Sequence, residues 1–193
     1  MNKINLEFKV PFLLNSFLKP KYYIGVSNEL TDWCKIKLKF NNLNNIFLLS
    51  NVAVKQKIIQ PANKNGWVMV GNIKQTKNQL FAIELAHYLN KKLTIIGKVQ
   101  DQVYYQLLKD KVQDLGIENT ITFVHDENNP QKRLNEFKIG LMTSKSESGP
   151  LVLIEYLAQS LPFISFNTGS VSNVLADELP DSFVDSFELS EWK

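Results

Sequence analysis

"WVMVGNIKQTKNQLFAIELA", residues 67–86, changes its hydrophobic rhythm at a single glycine. Before Gly71 stands a short β-favouring run, Trp67, Val68, Met69 and Val70. After the polar stretch that follows, Leu80, Phe81, Ile83, Leu85 and Ala86, with Leu89 just beyond, give the broad apolar face of a helix. A strand that runs through a turn into a helix is the opening of a βαβ unit, and the pattern recurs downstream. "LTIIG" (93–97), "ITFV" (121–124), "IGLMT" (139–143), "PFISF" (162–166) and "SFVD" (182–185) predict further strands. Helices are expected to start near Lys77, Gln102, Pro130, Pro150 and Val171. Thr76 with Gln79 reads as a capping box, and Asn129-Pro130 as an N-cap followed by proline at the first helical position. The expected class is α/β, a doubly wound parallel sheet with helices on both faces.

Upstream the texture differs. "YYIGVS" (22–27) and "NIFLLSNVAV" (45–54) read as strands around an amphipathic helix, "NELTDWCKIKL" (28–38). "KQKIIQPANKNG" (55–66) has the composition of a linker. We therefore divide the chain into residues 1–58, a short segment with the look of the end of a preceding domain, and residues 59–193, the main domain. The opening "MNKINLEFKVPFLLNSFL" lacks a small-residue cleavage site and is broken by Asn15 and Ser16, so it is not read as a signal peptide.

Composition narrows the function classes. With 193 residues, 44% hydrophobic and 21% charged, the chain has enough apolar mass for a packed core. A net charge of +3 and a single arginine, Arg133, argue against nucleic acid as a partner. One cysteine, Cys34, and two histidines, His87 and His125, are too few for a structural zinc site, and Cys34 is read as a packed hydrophobe in a reducing compartment. The most apolar region, residues 149–166, contains Glu155, Gln159 and Pro162, so no membrane span is expected and the location is taken as cytoplasmic.

Ligands of open parallel sheets bind beyond the carboxyl ends of the strands, where three loops carry suitable chemistry. In "VGNIKQTKNQ" (70–79), Gly71 allows close backbone approach while Lys74 and Lys77 flank a helix start; a phosphate site and two solvated lysines are both open readings. In "SKSESGP" (144–150), Glu147 lies at the rim, and the helix that follows would offer the N–H groups of Leu151 and Val152 to an anion. Glu155, among Leu151, Val152, Leu153, Ile154, Tyr156 and Leu157, needs a partner, which could be a ribose or sugar hydroxyl pair or simply a lysine or open solvent. In "FNTGSVSNVL" (166–175), Gly169 and Ser170 open another helix, as an ordinary serine-capped turn also would. A diphosphate-bearing ligand could be shared among the three.

Taken together, "WVMVGNIKQTKNQLFAIELA", "LTIIGK", "ITFVH" and "SESGPLVLIEYLAQSLPFISFNTGS" resemble, in order and spacing, the donor-binding C-terminal domain of glycosyltransferase family 4, over roughly residues 51–184. Its most specific part is the Glu-x7-Glu element. The resemblance implies a Rossmann-like domain of a GT-B enzyme that transfers a hexosyl group from a nucleotide-sugar with retention. It suggests a place in polysaccharide biosynthesis. It also implies roles. Glu147 would meet the donor sugar, Glu155 the ribose, and Lys77 the departing diphosphate, with Leu151 and Val152 adding backbone donors and residues 124–126 meeting the base. Glu147 and Lys77 would be catalytic; Gly71, Asn72, Lys77, His125, Gly149, Leu151, Val152, Glu155 and Gly169 would bind the donor. The sequence departs from the family where Asn72 replaces a common arginine and His125 a common glycine. "YYIGVSNELTDWC" and "LLSN" resemble the last strand-helix-strand of the family's acceptor-side domain, so the chain is expected to be a piece of a larger enzyme, inactive alone. Expected partners are the nucleotide-sugar and a carbohydrate or lipid-linked acceptor, with peripheral membrane association of the intact enzyme; no cofactor and no metal are expected. The rivals are a non-hydrolysing nucleotide-sugar epimerase and a non-catalytic α/β interaction module.

Overall fold

The computed structural model describes residues 23–25, 31–32, 36, 46–48, 53 and 64–193. The chain divides into two compact units, Met1–Ser50 and Asn51–Lys193. In the first, β1 (Tyr23–Gly25) pairs in parallel with β2 (Ile46–Leu48), Ile24 opposite Phe47. Thr31, Asp32 and Ile36 are helical, while the rest of the helix expected over 28–38, Cys34 included, and most of the linker lie outside the described residues.

The second unit is built on six parallel strands: β3 (Trp67–Val70), β4 (Leu93–Ile96), β5 (Ile121–Val124), β6 (Ile139–Met142), β7 (Phe163–Phe166) and β8 (Phe183–Val184). Their order is β5-β4-β3-β6-β7-β8. Four helices alternate with them: α1 (Gln79–Tyr88), α2 (Gln102–Asp114), α3 (Leu151–Ala158) and α4 (Ser170–Glu178). This is a Rossmann-like doubly wound sheet, and its order reverses between β3 and β6.

Period-two alternation sends neighbouring strand residues to opposite faces, and both faces are covered. Trp67, Met69, Ile95 and Leu141 enter one core with Phe81, Ile83 and Leu85 of α1 and Tyr104 and Leu108 of α2. Val68, Ile96 and Met142 enter the other with Leu134, Phe137, and Leu153 and Tyr156 of α3. Trp192, fully buried in the last turn, stacks on Phe187, leans on Phe81 and donates its indole N–H to the Ser186 carbonyl at 2.8 Å.

Several helix starts differ from expectation. The Thr76–Gln79 capping box does not form. Residues Gln75–Lys77 make a 3-10 turn instead, and Asn78, at φ 56° and ψ 43°, is the N-cap of α1. Asparagine tolerates this left-handed conformation better than most residues, which lets the chain reverse before α1 begins. Gln79 turns its side-chain amide onto the Asn72 carbonyl at 3.0 Å. The helix expected near Pro130 is a 3-10 segment, Pro130–Glu136; Asn129 occupies the cap position but its side chain makes no capping bond. In α3, Leu151 and Leu157 are each 41% exposed, so the helix is less enclosed than its composition implies.

Burial pushes the Tyr104 and Tyr156 phenols above their ordinary value of 10.0, against weaker opposing backbone hydrogen bonds. Because folding raises these pKa values, their stabilisation is complete below about pH 10 and drains away as the pH climbs towards the folded values. Urea midpoints are therefore expected to fall above about pH 10, less steeply in Tyr104→Phe than in the parent chain. Identical slopes would contradict this.

Candidate functional site

The loop after β3 begins at Gly71, whose N–H donates to the Ile96 carbonyl at 2.9 Å. Ile73 bridges to Val99, so the loop first follows the end of β4. The 3-10 turn, closed by Lys77 N–H to the Lys74 carbonyl at 2.9 Å, then brings Lys77 back over the strand end. A Cβ on Gly71 would stand 3.7 Å from Cδ and Cε of Lys77, so the lysine stem lies along the bare glycine.

The loop after β6 is fastened to that turn. Thr143, fully buried, shares its hydroxyl proton between the Asn78 carbonyl at 3.0 Å and the Lys77 carbonyl at 3.2 Å. The Lys145 N–H donates to the Thr76 carbonyl at 2.9 Å. Glu147, thus placed, accepts from Lys77 Nζ at 2.5 Å, with the two side chains only 15% and 23% exposed. The residues are 70 apart in sequence and leave from the two strands that flank the reversal of strand order, where open α/β sheets hold ligands.

The third loop braces the second. Gly169 sits at φ 87°, and a Cβ there would come within 2.9 Å of the Glu147 carbonyl oxygen and of Pro150 Cδ. Ser170 donates twice to the Ser148 carbonyl, from its N–H at 3.1 Å and its hydroxyl at 2.9 Å, instead of capping α4. The Glu147 turn is therefore clasped from both sides. Pro150, which caps α3, offers no side-chain acceptor to the first N–H groups of that helix, Leu151 and Val152 included.

Glu155 is half-buried on α3 and has a partner within the protein: Gln131 donates its side-chain amide to Glu155 Oε1 at 2.6 Å. His125 follows β5. Its Nδ1 lies 3.1 Å from the Gly97 carbonyl, which can only accept, so Nδ1 carries the proton. The Tyr105 hydroxyl then donates to Nε2 at 2.9 Å, and the imidazole lies parallel to the Phe123 ring. With both edges satisfied, the ring presents a face rather than a hydrogen-bonding edge to any ligand.

Sequence reasoning missed Thr143, Gln131 and Gly97. Only Gly97 had a signal, since "LTIIG" ends on glycine as "WVMVG" does. Arg133 is remote from the Lys77 turn. It is held by Glu136 at 3.0 Å, a hydrogen bond that raises its pKa, and lines a pocket of about 320 Å³ with Gly66, Lys92 and Asn119, all of which precede strands. A groove of about 700 Å³ along α1 and α2, lined by Leu80, Val103, Leu107 and Asp110, contains neither Lys77 nor Glu147. We place the chemistry at the strand ends because the charged groups and the open helix start converge there.

Fold and site together define an α/β domain in which the charged pair Lys77–Glu147 gathers at the strand-order reversal. Residues 51–188 match the family described as glycosyl transferases group 1, and the chain belongs to that family. It is 27% identical over 161 residues to an uncharacterized glycosyltransferase of Haemophilus influenzae, covering 81% of this chain and 44% of the relative. It is 28% identical over 142 residues to the capsular polysaccharide biosynthesis glycosyltransferase CapH of Staphylococcus aureus, covering 70% and 39%. The chain thus spans about two fifths of the length of these curated relatives. Among solved structures, HepE of Anabaena in complex with UDP and glucose has a TM-score of 0.73 at 14% identity, covering 89% of this chain and 51% of that one. A glycosyltransferase of Rickettsia africae gives 0.73 at 16% identity, covering 99% and 56%. The fold is shared with these transferases. Among the described residues, no helix is long and apolar enough to cross a membrane.

Proposed function

We propose that this chain binds a nucleotide-sugar in the crevice between β3 and β6 and serves as the donor side of a retaining, hexosyl-transferring enzyme of glycosyltransferase family 4. The observation that carries the reading is the meeting of Lys77 and Glu147 at 2.5 Å beside the uncapped start of α3. An ammonium group and unbonded helix N–H groups suit a diphosphate, and a carboxylate at the same spot suits sugar hydroxyls.

As the bond between anomeric carbon and diphosphate oxygen breaks, negative charge collects on the diphosphate. Lys77 and the Leu151 and Val152 N–H groups oppose it, already oriented by the Thr143 and Gly169 contacts. The sugar passes to an acceptor hydroxyl, whose proton goes to the diphosphate oxygen that leaves the anomeric carbon. Glu147, released from Lys77 by the incoming diphosphate, accepts from the donor sugar. Glu155 keeps one oxygen on Gln131 and turns the other to ribose hydroxyls. Residues 124–126 and the face of His125 meet the base, Gly71 and Asn72 bring backbone close to the phosphates, and Gly149 leaves room beside them. The capsular polysaccharide name of the Staphylococcus aureus relative supports a carbohydrate acceptor; a lipid-linked acceptor, a cytoplasmic location and a peripheral membrane contact of the intact enzyme complete the proposal. No metal or cofactor enters the scheme. The family match favours transfer over the epimerase rival.

The test exploits the ion pair. Without ligand, Glu147 competes with the diphosphate for Lys77, and its own charge repels the phosphates. Glu147→Gln should therefore bind a nucleoside diphosphate about threefold to fivefold more tightly than the parent, since a partly exposed ion pair is worth at most about 1 kcal/mol. Sugar transfer by the intact enzyme carrying the substitution should nonetheless fall. A panel of UDP, GDP and ADP in calorimetric titrations reads both the base and the effect. Weaker binding in Glu147→Gln would count against the shared site.

A further inference from the structure

Tyr156 is fully buried on α3, one residue beyond Glu155, and lies against the sheet at the strand-order reversal. Pairing between β3 and β6 runs Trp67–Ile139, Val68–Gly140, Met69–Leu141 and stops there, whereas β3 and β4 stay paired through Val70–Ile96. At the place where the next rung towards β6 would fall stands the Tyr156 hydroxyl. It accepts from the Val70 N–H at 3.3 Å and donates to the Leu141 carbonyl at 3.1 Å. The ring needs the missing side chain of Gly140 to get there: a Cβ on that residue would lie 2.6 Å from a Tyr156 ring carbon. Phe163 closes the other side of the ring at 6.3 Å between centroids.

We propose that Tyr156 is a positioning residue of the donor site, its hydroxyl serving as an inserted rung that parts β3 from β6 and fixes α3 against both. The loops that leave those strand ends carry Lys77 and Glu147, and α3 carries Glu155 and the open N–H groups. One phenol oxygen thereby links the elements that must meet a diphosphate and a ribose together. Without it, Val70 and Leu141 are free to pair directly, the strand ends close, and α3 loses its tether. This inference rests on the donor-site reading above and adds a residue to it.

The test uses the chain as it stands. Tyr156→Phe keeps the ring that fills the space beside Gly140 and removes only the oxygen. In hydrogen-exchange measurements, the Val70 amide is expected to exchange about tenfold faster or more, while Val68, in the paired part of β3, stays protected. Affinity for a nucleoside diphosphate (UDP, GDP or ADP, whichever the parent binds best) should fall about fivefold to tenfold, the factor one buried hydrogen bond commonly carries. Affinity for the matching free nucleobase should change little, because the proposed base contacts, residues 124–126, lie at the end of β5 and not on α3. A purely structural role would weaken both ligands in step with lost stability, and that result, or an unchanged Val70 amide, would overturn the proposal. If Tyr156→Phe does not fold, the parent answers alone: a Val70 amide that exchanges as fast as loop amides means no rung exists, and slow exchange upholds it. Failure of the parent to bind any diphosphate would strike the donor site itself; a binding parent beside an unaltered variant strikes only Tyr156.

Discussion

With Lys77 replaced by alanine in the intact enzyme, sugar transfer is expected to fall by about 10²-fold or more, the scale of removing one donor that acts on charge developing in a transition state. The fall should lie mainly in turnover. In the resting site Lys77 is already neutralised by Glu147 at 2.5 Å, so part of what it gains from a bound diphosphate is offset by what it gives up. In the proposed mechanism the leaving group becomes more negative as the donor bond breaks, while Glu147 is engaged with the sugar, and the balance shifts towards the diphosphate. The variant also leaves Glu147, only 15% exposed, without its cation, which adds repulsion against the phosphates. Lys77→Arg should not restore the rate: a planar guanidinium spreads its charge and holds its donors in a fixed fork, which does not reproduce the compact ammonium that meets Glu147. Steady-state kinetics of nucleoside diphosphate release decide the matter. An unchanged turnover in Lys77→Ala would remove the residue from the mechanism.

The second large effect concerns a residue without a side chain. A Cβ on Gly97 would stand 2.1 Å from the Gly71 carbonyl oxygen and 2.6 Å from its carbon, and both obstacles are backbone. They cannot swing aside like a side chain, and the neighbouring Gly71 N–H is already bonded to Ile96 at 2.9 Å. Gly97→Ala must therefore push the start of the Lys77 loop away from β4. A destabilisation of about 3 kcal/mol is expected, towards the upper end for forced overpacking, with a melting temperature lower by about 6–12 °C. Nucleoside diphosphate affinity should drop as well, because the displaced segment is the one that carries Asn72 towards Lys77. Gly116 makes a useful control for space, since nothing lies within 4 Å of a Cβ there, although its φ of +63° adds some backbone strain. A Gly97→Ala chain as stable as the parent would show that β3 and β4 ends are looser than described.

The strands could be read from residue types because the central ones are buried on two faces, which leaves short apolar runs bounded by glycine or polar turns. Trp67–Val70 and Leu93–Ile96 are examples, predicted to within a residue of where they lie. Helix starts were harder. Thr76 and Gln79 have the spacing of a capping box, but a buried Gln79 finds the Asn72 carbonyl nearby, and Asn78 takes the left-handed turn that a helix starting at Lys77 would forbid. Local pattern could not reveal this, because the competing partners are set by the packing of α1 on the sheet. The site shows the same division. That Lys77 and Glu147 lie at one sheet edge follows from topology; that they touch depends on Thr143, whose hydroxyl binds carbonyls more than 60 residues away. Glu155 was singled out as a charge needing a partner, and the first partner is Gln131, from a segment whose helical form was misjudged.

The central claim is that loops from β3 and β6 form one diphosphate site, and amide chemical-shift mapping during titration with UDP, GDP and ADP tests it most directly. The account predicts saturable shifts concentrated in residues 71–78 and 144–152, weaker in Lys77→Ala, with a second group near residues 124–126 that follows the base. Saturable shifts confined to the α1–α2 groove around Val103 and Leu107, or no response to any of the three nucleotides, would contradict it.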